Sequence, residues 1–264
     1  MPFAKNNLDG VQTYFEDLGG DGPTVVVYGG LTQSVVQLHT WPLTLALSGA
    51  ARLVLADHRG HGRSDKPHEQ TSYTAKLKAG DFAAVLDSLG IEKAHLLGYS
   101  WGARLGFCVG EYQARRAHSL ILGGHQPYAF RLDGPVVRSM TEALDVAVEG
   151  GMQRLVEHFE ESTGSRFPAD VRTGMLDNDA QALHAAWNVA LHEGDVSLDL
   201  REWTFPCVIY AAEGDVDFFQ DAKRAADEIP GAPFISLAGL DHVTGHGEVE
   251  RVLPSILEML AKNS

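Results

Sequence analysis

The sequence is poor in cysteine and in long apolar runs. Only Cys108 and Cys207 occur among its 264 residues, and both lie among apolar neighbours. Two cysteines are too few for a disulfide framework, so buried free thiols in a reducing compartment are expected. No apolar stretch approaches the roughly 18 residues that a membrane span needs, and the first 20 residues lack the pattern of a secretory signal. We therefore expect a cytoplasmic protein without a membrane partner.

Positive charge is also scarce. Lysine and arginine number 21 against 35 acidic residues, which gives a net charge of −14. A protein that follows the nucleic-acid backbone is normally basic, so no nucleic-acid partner is expected. A G-x-G-x-x-G motif after a strand, a P-loop and a zinc-type spacing are all missing. The sequence therefore predicts no cofactor and no metal.

What the sequence does contain is an alternation of strand-like and helix-like segments. Residues 11–16 alternate between polar and apolar side chains, which is typical of a strand in an antiparallel hairpin. Short apolar runs of strand type occur at 24–28, 51–56, 94–97, 119–122, 207–211 and 234–237. Helical spacing of apolar residues occurs at 72–89 and 103–109. Continuous apolar strands that alternate with helices predict an α/β protein whose mostly parallel sheet is covered on both faces. In such sheets, functional residues gather at the carboxyl ends of the strands.

Residues 127–203 interrupt this alternation. They contain no convincing strand, and the segments 136–148, 152–159 and 180–191 have helical spacing. We predict a helical cap at 127–203, inserted into a core formed by residues 1–126 and 204–264.

Residues 98–102 read Gly-Tyr-Ser-Trp-Gly, a G-x-S-x-G pattern between a predicted strand and a predicted helix. Small residues on both sides let the strand and the helix approach closely, so the serine on this turn is forced outward. The helix N-terminus behind it favours developing negative charge. Ser100 is therefore the candidate nucleophile.

A serine hydroxyl is a weak nucleophile that needs a base and a carboxylate to orient that base. After this kind of turn the carboxylate is expected next in the sequence and the histidine last. The acidic loop after strand 207–211 offers Asp215, and Asp217 and Glu213 are its competitors. We favour Asp215, because it lies closest to the strand end behind a turn-forming glycine.

The candidate base is His242, which follows the short turn 239–241 after strand 234–237. His246 is its rival, four residues further on. This i, i+4 pair would suit a metal on a helix, but the glycine at 245 argues against a helix there. We therefore expect His242 to lie in a loop.

The developing oxyanion needs two backbone N–H donors. The residue after the nucleophile, Trp101, is expected to supply one of them. The loop after strand 24–28 supplies the other, with Leu31 as our choice and Gly30 as the alternative. For the substrate pocket we predict Gly30, His125, Tyr128 and Trp187. His125 and Tyr128 are equally compatible with a purely structural place where the chain enters the cap.

Five segments together resemble the α/β-hydrolase family, in particular its esterases, lactonases and enol-lactonases. They are residues 29–34, 57–65, 98–102, 213–215 and 239–242. The resemblance implies an eight-stranded, mostly parallel sheet with helices on both faces and an inserted helical cap. It also implies Ser100 as nucleophile, Asp215 as acid and His242 as base, with an oxyanion hole formed by the amides of Leu31 and Trp101.

The chain departs from the family at one position. The oxyanion loop usually begins with His-Gly, and here the matching pair is Gly29-Gly30. The run 57–65, with two histidines, two arginines and two aspartates, could suggest a metal or phosphate site. In the family this run mainly braces a loop beside the turn that carries the serine, and we expect the same role here.

The resemblance implies hydrolysis of a carboxylic ester or lactone through an acyl-enzyme, without a cofactor. Trp187, Phe159, Met152 and Leu183 in the predicted cap favour a small to medium apolar substrate. The same triad also serves carbon–carbon bond hydrolysis and perhydrolysis, and some members of the fold are non-catalytic small-molecule receptors. Epoxide hydrolases and haloalkane dehalogenases carry Asp where this chain has Ser100. The sequence is compatible with a homo-oligomer but does not determine the oligomeric state.

Overall fold

Eight strands occur in the part of the chain that the computed structural model describes, residues 2–196 and 199–263. They are β1 (Phe3–Lys5), β2 (Gln12–Gly19), β3 (Thr24–Tyr28), β4 (Arg52–Ala56), β5 (Ala94–Tyr99), β6 (Ala117–Gly123), β7 (Cys207–Ala212) and β8 (Phe234–Leu237). One sheet contains them all, in the order β1-β2-β4-β3-β5-β6-β7-β8. The predicted eight-stranded sheet is confirmed.

The sheet is antiparallel at one edge and parallel elsewhere. The β1–β2 and β2–β4 pairs are antiparallel, and every pair from β4 to β8 is parallel. The inner strands β5 and β7 are buried along their whole length, as expected for strands covered on both faces. Because the strands from β4 to β8 point the same way, their carboxyl ends meet at one edge of the sheet.

Eleven α-helices lie in the described ranges. They are α1 (Val35–Leu38), α2 (Pro42–Leu47), α3 (Ala75–Leu89), α4 (Trp101–Tyr112), α5 (Pro135–Gly150), α6 (Met152–Thr163), α7 (Ala169–Leu176), α8 (Ala180–His192), α9 (Phe219–Glu228), α10 (His242–His246) and α11 (Leu253–Lys262). Helices α3, α4 and α9 bury apolar side chains on one face of the sheet. Helices α1, α2 and α11 cover the other face. None of the helices that the structure describes is long and apolar enough to cross a bilayer.

Helices α5 to α8 lie between β6 and β7 and have an apolar cluster of their own. It includes Leu144, Leu155, Leu183 and Trp187, and it also takes in Trp101 at the start of α4. These four helices fall within the cap predicted at 127–203, of which residues 197 and 198 lie outside the described part of the chain. The shared cluster sets the cap helices against the strand-end edge of the sheet.

A buried ion pair stabilises the loop that follows β4. The Arg59 guanidinium donates from Nε and Nη2 to the two carboxylate oxygens of Asp81, each at 2.7 Å. Asn6 Nδ2 donates to the same carboxylate at 2.8 Å. Arg59 also pairs with the more exposed Asp9 at 2.7 Å. Such a bidentate, desolvated pair is costly to break, because one charge would be left buried alone.

We predict that Asp81→Ala lowers the free energy of unfolding by about 3–5 kcal/mol, because the buried guanidinium loses its main counter-charge. Asp9→Ala is the matched control, and it should cost only about 1 kcal/mol because the Asp9 carboxylate is partly solvated. Urea denaturation of both variants measures the difference. Equal losses would contradict the prediction.

Candidate active site

The backbone at Ser100 makes the sharp turn that the sequence predicts. Its φ is +54° and its ψ is −116°, a region that non-glycine residues rarely occupy. A Cβ added to Gly98 would lie 2.2 Å from the carbonyl oxygen of Gly102, and one added to Gly102 would lie 2.3 Å from that of Tyr28. The Ser100 N–H donates to the Gly123 carbonyl at 2.7 Å. The two glycines therefore let β5, α4 and β3 approach closely enough to form the turn.

Three side chains that are distant in sequence come together at this turn. His242 Nε2 lies 3.0 Å from Ser100 Oγ, and His242 Nδ1 lies 2.6 Å from Asp215 Oδ2. Ser100 follows β5, Asp215 follows β7, and His242 follows β8. The Asp215 side chain has no exposed surface, whereas that of His242 is 21% exposed. Solvent can therefore reach the imidazole but not the carboxylate.

The loops that carry the acid and the histidine are joined by backbone hydrogen bonds. The Gly214 N–H donates to the Leu240 carbonyl at 2.9 Å. The Tyr99 hydroxyl, from the end of β5, donates to the His242 carbonyl at 2.6 Å. These two bonds fix the relative position of the three strand ends.

One local prediction is wrong. His242 begins the short helix α10 instead of lying in a loop. Asp241 caps this helix, because its side chain accepts from the Thr244 N–H at 2.8 Å and completes a capping box. An added Cβ at Gly245 would lie 3.0 Å from the Tyr99 hydroxyl, so the glycine lets the helix pack closely.

The competing acids lie elsewhere. Asp217 Oδ2 accepts from the N–H groups of Val136 and Val137 at 2.8 and 3.0 Å, so it binds the first turn of α5. Glu213 accepts from the Ser236 hydroxyl at 2.7 Å on the surface. Neither bonds to a histidine among the described contacts.

The competing histidine is also occupied. The His246 ring stacks on Trp41, with centroids 4.9 Å apart and an interplanar angle of 11°. Its Nε2 faces Gln33 Nε2 at 3.4 Å. Burial lowers the pKa of His246 to about 4, so this imidazole is neutral at pH 7.

The two residues predicted to supply the oxyanion donors, Leu31 and Trp101, belong to the same apolar cluster. Neither the N–H of Leu31 nor that of Trp101 bonds to an acceptor among the described residues. The alternative donor, Gly30, is engaged, because its N–H donates to Gln33 Oε1 at 2.6 Å. Gly30 nevertheless lies beside the nucleophile, since an added Cβ there would be 3.5 Å from Ser100 Cβ.

Aromatic rings surround this region. The rings of Trp187 and Trp101 are 6.1 Å apart, and His125 stacks on Phe218 at 4.4 Å. Phe218 in turn lies 5.6 Å from the His242 ring. Phe130 contacts both His125 and Trp187 at 5.3 Å. Sequence reasoning missed Phe130 and Phe218, whose only signal was an apolar ring in an otherwise polar loop.

For Tyr128, the contacts favour the structural alternative over the pocket. The guanidinium of Arg224, on α9, lies 4.0 Å above the Tyr128 ring centroid. Tyr128 also belongs to the apolar cluster of α3, α4 and α9 rather than to that of the cap. Its ring thus faces α9, and Phe130 takes the place beside the site.

The run 57–65 braces the neighbouring loops. Asp57 Oδ1 accepts from the Val35 N–H at 2.6 Å, and Oδ2 accepts from the Arg63 N–H at 2.7 Å. Burial raises the pKa of Asp57 to about 6, so the carboxylate is ionised at pH 7. The imidazole of His58 donates from Nε2 to the Gly29 carbonyl at 2.9 Å. Across residues 2–196 and 199–263, no three His, Cys, Asp or Glu side chains converge as metal ligands.

Comparison with known proteins shows that the chain is similar to hydrolases. The sequence profile of the alpha/beta hydrolase fold family matches residues 23–235. Epoxide hydrolase B of Mycobacterium tuberculosis is 43% identical over 84 residues, which are 31% of this chain and 23% of that protein. The 3-oxoadipate enol-lactonase 1 of Acinetobacter baylyi is 31% identical over 185 residues, 66% of this chain and 65% of that enzyme. The chain spans only 33% and 23% of the length of the first curated relatives that it matches.

Solved structures share the whole fold. A structure from work on the carboxylesterases of Nitrososphaera gargenis superposes with a TM-score of 0.82 and 22% identity, and the match covers 100% of both chains. At this identity the likeness shows the fold alone.

Four buried or half-buried histidines with lowered pKa values generate a prediction about acid stability. Burial lowers the pKa of His58 to about 3, and the pKa values of His61, His95 and His246 to about 4. The unfolded values lie near 6.5, so the unfolded chain binds more protons between about pH 6.5 and 4. Stability from these groups is full above pH 6.5 and is lost as the pH falls. Asp57 has a raised pKa in the folded protein and therefore reduces the net proton uptake on unfolding by about one proton.

We therefore predict that the free energy of unfolding falls steeply between pH 6.5 and 5, because unfolding is accompanied by a net uptake of several protons. Urea denaturation across this range measures the slope. His95→Asn retains a partner for the Ser119 hydroxyl, which lies 2.7 Å from His95 Nδ1, and should reduce the uptake by about one proton. A stability that is constant over this range would disprove the prediction.

Proposed function

The chain belongs to the alpha/beta hydrolase fold family, and from that premise we propose that it is a serine hydrolase of carboxylic esters or lactones. One observation carries the proposal. The distances of 3.0 Å from Ser100 Oγ to His242 Nε2 and of 2.6 Å from His242 Nδ1 to Asp215 form a continuous path for a proton. A nucleophile, a base and a buried carboxylate in this order are what acyl transfer requires.

In the first half of the reaction, Ser100 Oγ attacks the carbonyl carbon while His242 Nε2 takes the hydroxyl proton. Asp215 stabilises the imidazolium and holds its Nδ1–H. The N–H groups of Leu31 and Trp101 bind the oxyanion. The carbon–oxygen bond of the ester then breaks, the alkoxide takes the proton from His242, and the acyl group stays on Ser100. From a lactone, the released alcohol remains tethered to the acyl chain.

In the second half, water attacks the acyl carbon and gives a proton to His242. The bond to Ser100 Oγ breaks, Oγ regains its proton, and the carboxylic acid leaves. The 21% exposure of the His242 side chain supports this step, because water must reach the imidazole. No cofactor takes part in the proposed cycle.

The surroundings of the serine favour a small to medium apolar acyl group. Trp101, Phe130, Trp187 and Phe218 present ring surface near the triad, and each is less than a tenth exposed. Apolar walls with few polar groups are typical of sites that bind uncharged organic substrates. We also propose a cytoplasmic location, supported by the free, buried thiols of Cys108 and Cys207.

Epoxide hydrolysis is less compatible with Ser100, although epoxide hydrolases are among the relatives. Attack of a carboxylate on an epoxide carbon gives an ester, which water can cleave. Attack of a serine hydroxyl would give an ether, which a histidine-activated water does not release. A serine at position 100 therefore favours an acyl substrate.

We predict that Ser100→Ala, His242→Ala and Asp215→Asn each lower kcat/KM on 4-nitrophenyl butyrate by roughly 10⁴-fold or more, because a triad acts as a unit. Asp217→Asn is the matched control. It should retain most of the activity, because an amide oxygen can still accept from the first turn of α5. Loss of activity in Asp217→Asn with normal activity in Asp215→Asn would overturn the choice of acid.

We predict a second, chemical distinction. The wild-type protein should turn over 4-nitrophenyl esters and a simple lactone, and it should leave styrene oxide unchanged. Mass spectrometry after treatment with a 4-nitrophenyl phosphonate should show one adduct on Ser100 and none in Ser100→Ala. Turnover of the epoxide, or binding of esters without any turnover in the wild type, would contradict the proposed function.

A further inference from the structure

The departure of the oxyanion loop from the family pattern has a structural counterpart. Where a histidine is usual, this chain has Gly29. A Cβ added to Gly29 would lie 2.9 Å from both Cβ and Oε1 of Gln33, and 3.2 Å from Leu38 Cδ2. The φ of Gly29 is not positive, so the backbone itself would accept a side chain. The space beside Gly29 is thus filled by Gln33.

Gln33 closes the loop with two hydrogen bonds. Its side-chain oxygen Oε1 accepts from the Gly30 N–H at 2.6 Å, and its own N–H donates to the Gly30 carbonyl at 3.1 Å. Gly30 is the residue that lies against Ser100. The glutamine therefore fixes the segment of chain that passes over the nucleophile.

The other end of the amide reaches the helix that begins with His242. Gln33 Nε2 lies 3.4 Å from His246 Nε2. The His246 carbonyl accepts from Trp41 Nε1 at 2.7 Å, which holds α10 in place. Because the half-buried His246 is neutral, its Nε2 can accept a hydrogen bond from the amide. Gln33 thus connects the loop over the serine with the element that carries the proposed base.

The loop needs such support, because its backbone is strained. Thr32 has a φ of +73°, which is an outlier for a β-branched residue. The Thr32 carbonyl is held from the cap by Asn178 Nδ2 at 2.8 Å. Strained conformations persist only where the surroundings hold them, and Gln33 and Asn178 hold this loop from its two sides.

We propose that Gln33 is a positioning residue that replaces the usual histidine of the oxyanion loop. It occupies the Gly30 N–H, so that the N–H groups of Leu31 and Trp101 are the two that receive the oxyanion. It touches neither the substrate nor the reacting atoms. The inference rests on the proposed hydrolase function for its kinetic consequence, whereas the hydrogen bond to Gly30 can be tested without any activity.

The kinetic test compares two glutamines of the same segment, the half-buried Gln33 and the buried Gln37. Gln33→Met keeps the length of the side chain and removes the acceptor. It should lower kcat on 4-nitrophenyl acetate by about 10- to 100-fold with KM changed less than about threefold, because a misplaced donor acts mainly in the transition state. Gln37→Met is the control. Gln37 accepts from Ser34 and donates to the Val171 carbonyl, and this variant should keep kcat within about threefold.

Two outcomes would overturn the inference: a normal kcat in Gln33→Met, or an equal loss in Gln37→Met. A further variant tests whether the usual histidine can take the place of Gln33. Gly29→His combined with Gln33→Ala restores the usual histidine and removes the side chain that would collide with it. The kcat of this double variant should regain at least about a third of the kcat that Gln33→Met loses relative to the wild type. Gly29→His alone should not reach that value, because its new side chain collides with Gln33. Failure of the double variant while it is folded would also count against the proposal.

The second readout is independent of hydrolysis. Amide exchange of Gly30 is measured by NMR on protein labelled with ¹⁵N-glycine. Gln33→Met should speed this exchange by at least about tenfold, and Gln37→Met should not. Unchanged exchange would overturn the inference. If the wild type hydrolyses no ester but the exchange responds as expected, the proposed function fails and the bracing role of Gln33 stands.

Discussion

The tight turn between β5 and α4 is the constraint on which the rest of the site depends. Ser100 occupies a backbone conformation with positive φ, which costs of the order of 1–3 kcal/mol. Burial of β5 and of the inner face of α4 against both neighbours offsets that cost. Gly98 and Gly102 are required because any Cβ there would overlap backbone atoms. Since the parallel strands end at one edge, the loops after β7 and β8 meet the serine without any special connection.

The sequence predicts the parts of this arrangement that have local signals. Continuous Val and Leu runs indicate buried parallel strands, and G-x-S-x-G between a strand and a helix indicates the turn. One prediction failed, and one pair of alternatives stayed open, because long-range contacts decide both. Gly245 argues against a helix by its propensity alone, but its lack of a side chain allows α10 to pack against Tyr99, and the capping box at Asp241 offsets the cost. Tyr128 turned towards Arg224 on α9, a partner 96 residues away that no local pattern reveals.

The predicted cap is tied to the candidate site through the loops that follow β3 and β7. Asp217 lies two residues after the proposed acid and binds the first turn of α5. Asn178, which follows α7, donates to the Thr32 carbonyl and accepts from the Gly62 N–H at 3.0 Å. A displacement of the cap would therefore pull on both the acid loop and the oxyanion loop. Rigid packing transmits such shifts because well-packed interiors deform little.

The protonation states and partners of four histidines support the proposal that the Ser100 proton moves to His242. Burial lowers the pKa values of His58, His125 and His246, so these imidazoles are neutral at pH 7. His242 alone of the four bonds to a carboxylate among the described contacts, and it alone reaches the serine hydroxyl. In the proposed cycle, a proton that leaves Ser100 Oγ thus meets a single imidazole whose cationic form has a counter-charge. The neutral neighbours add ring surface and hydrogen bonds without competing for that proton, and this difference in partners supports the proposal of His242 as the one base among four histidines.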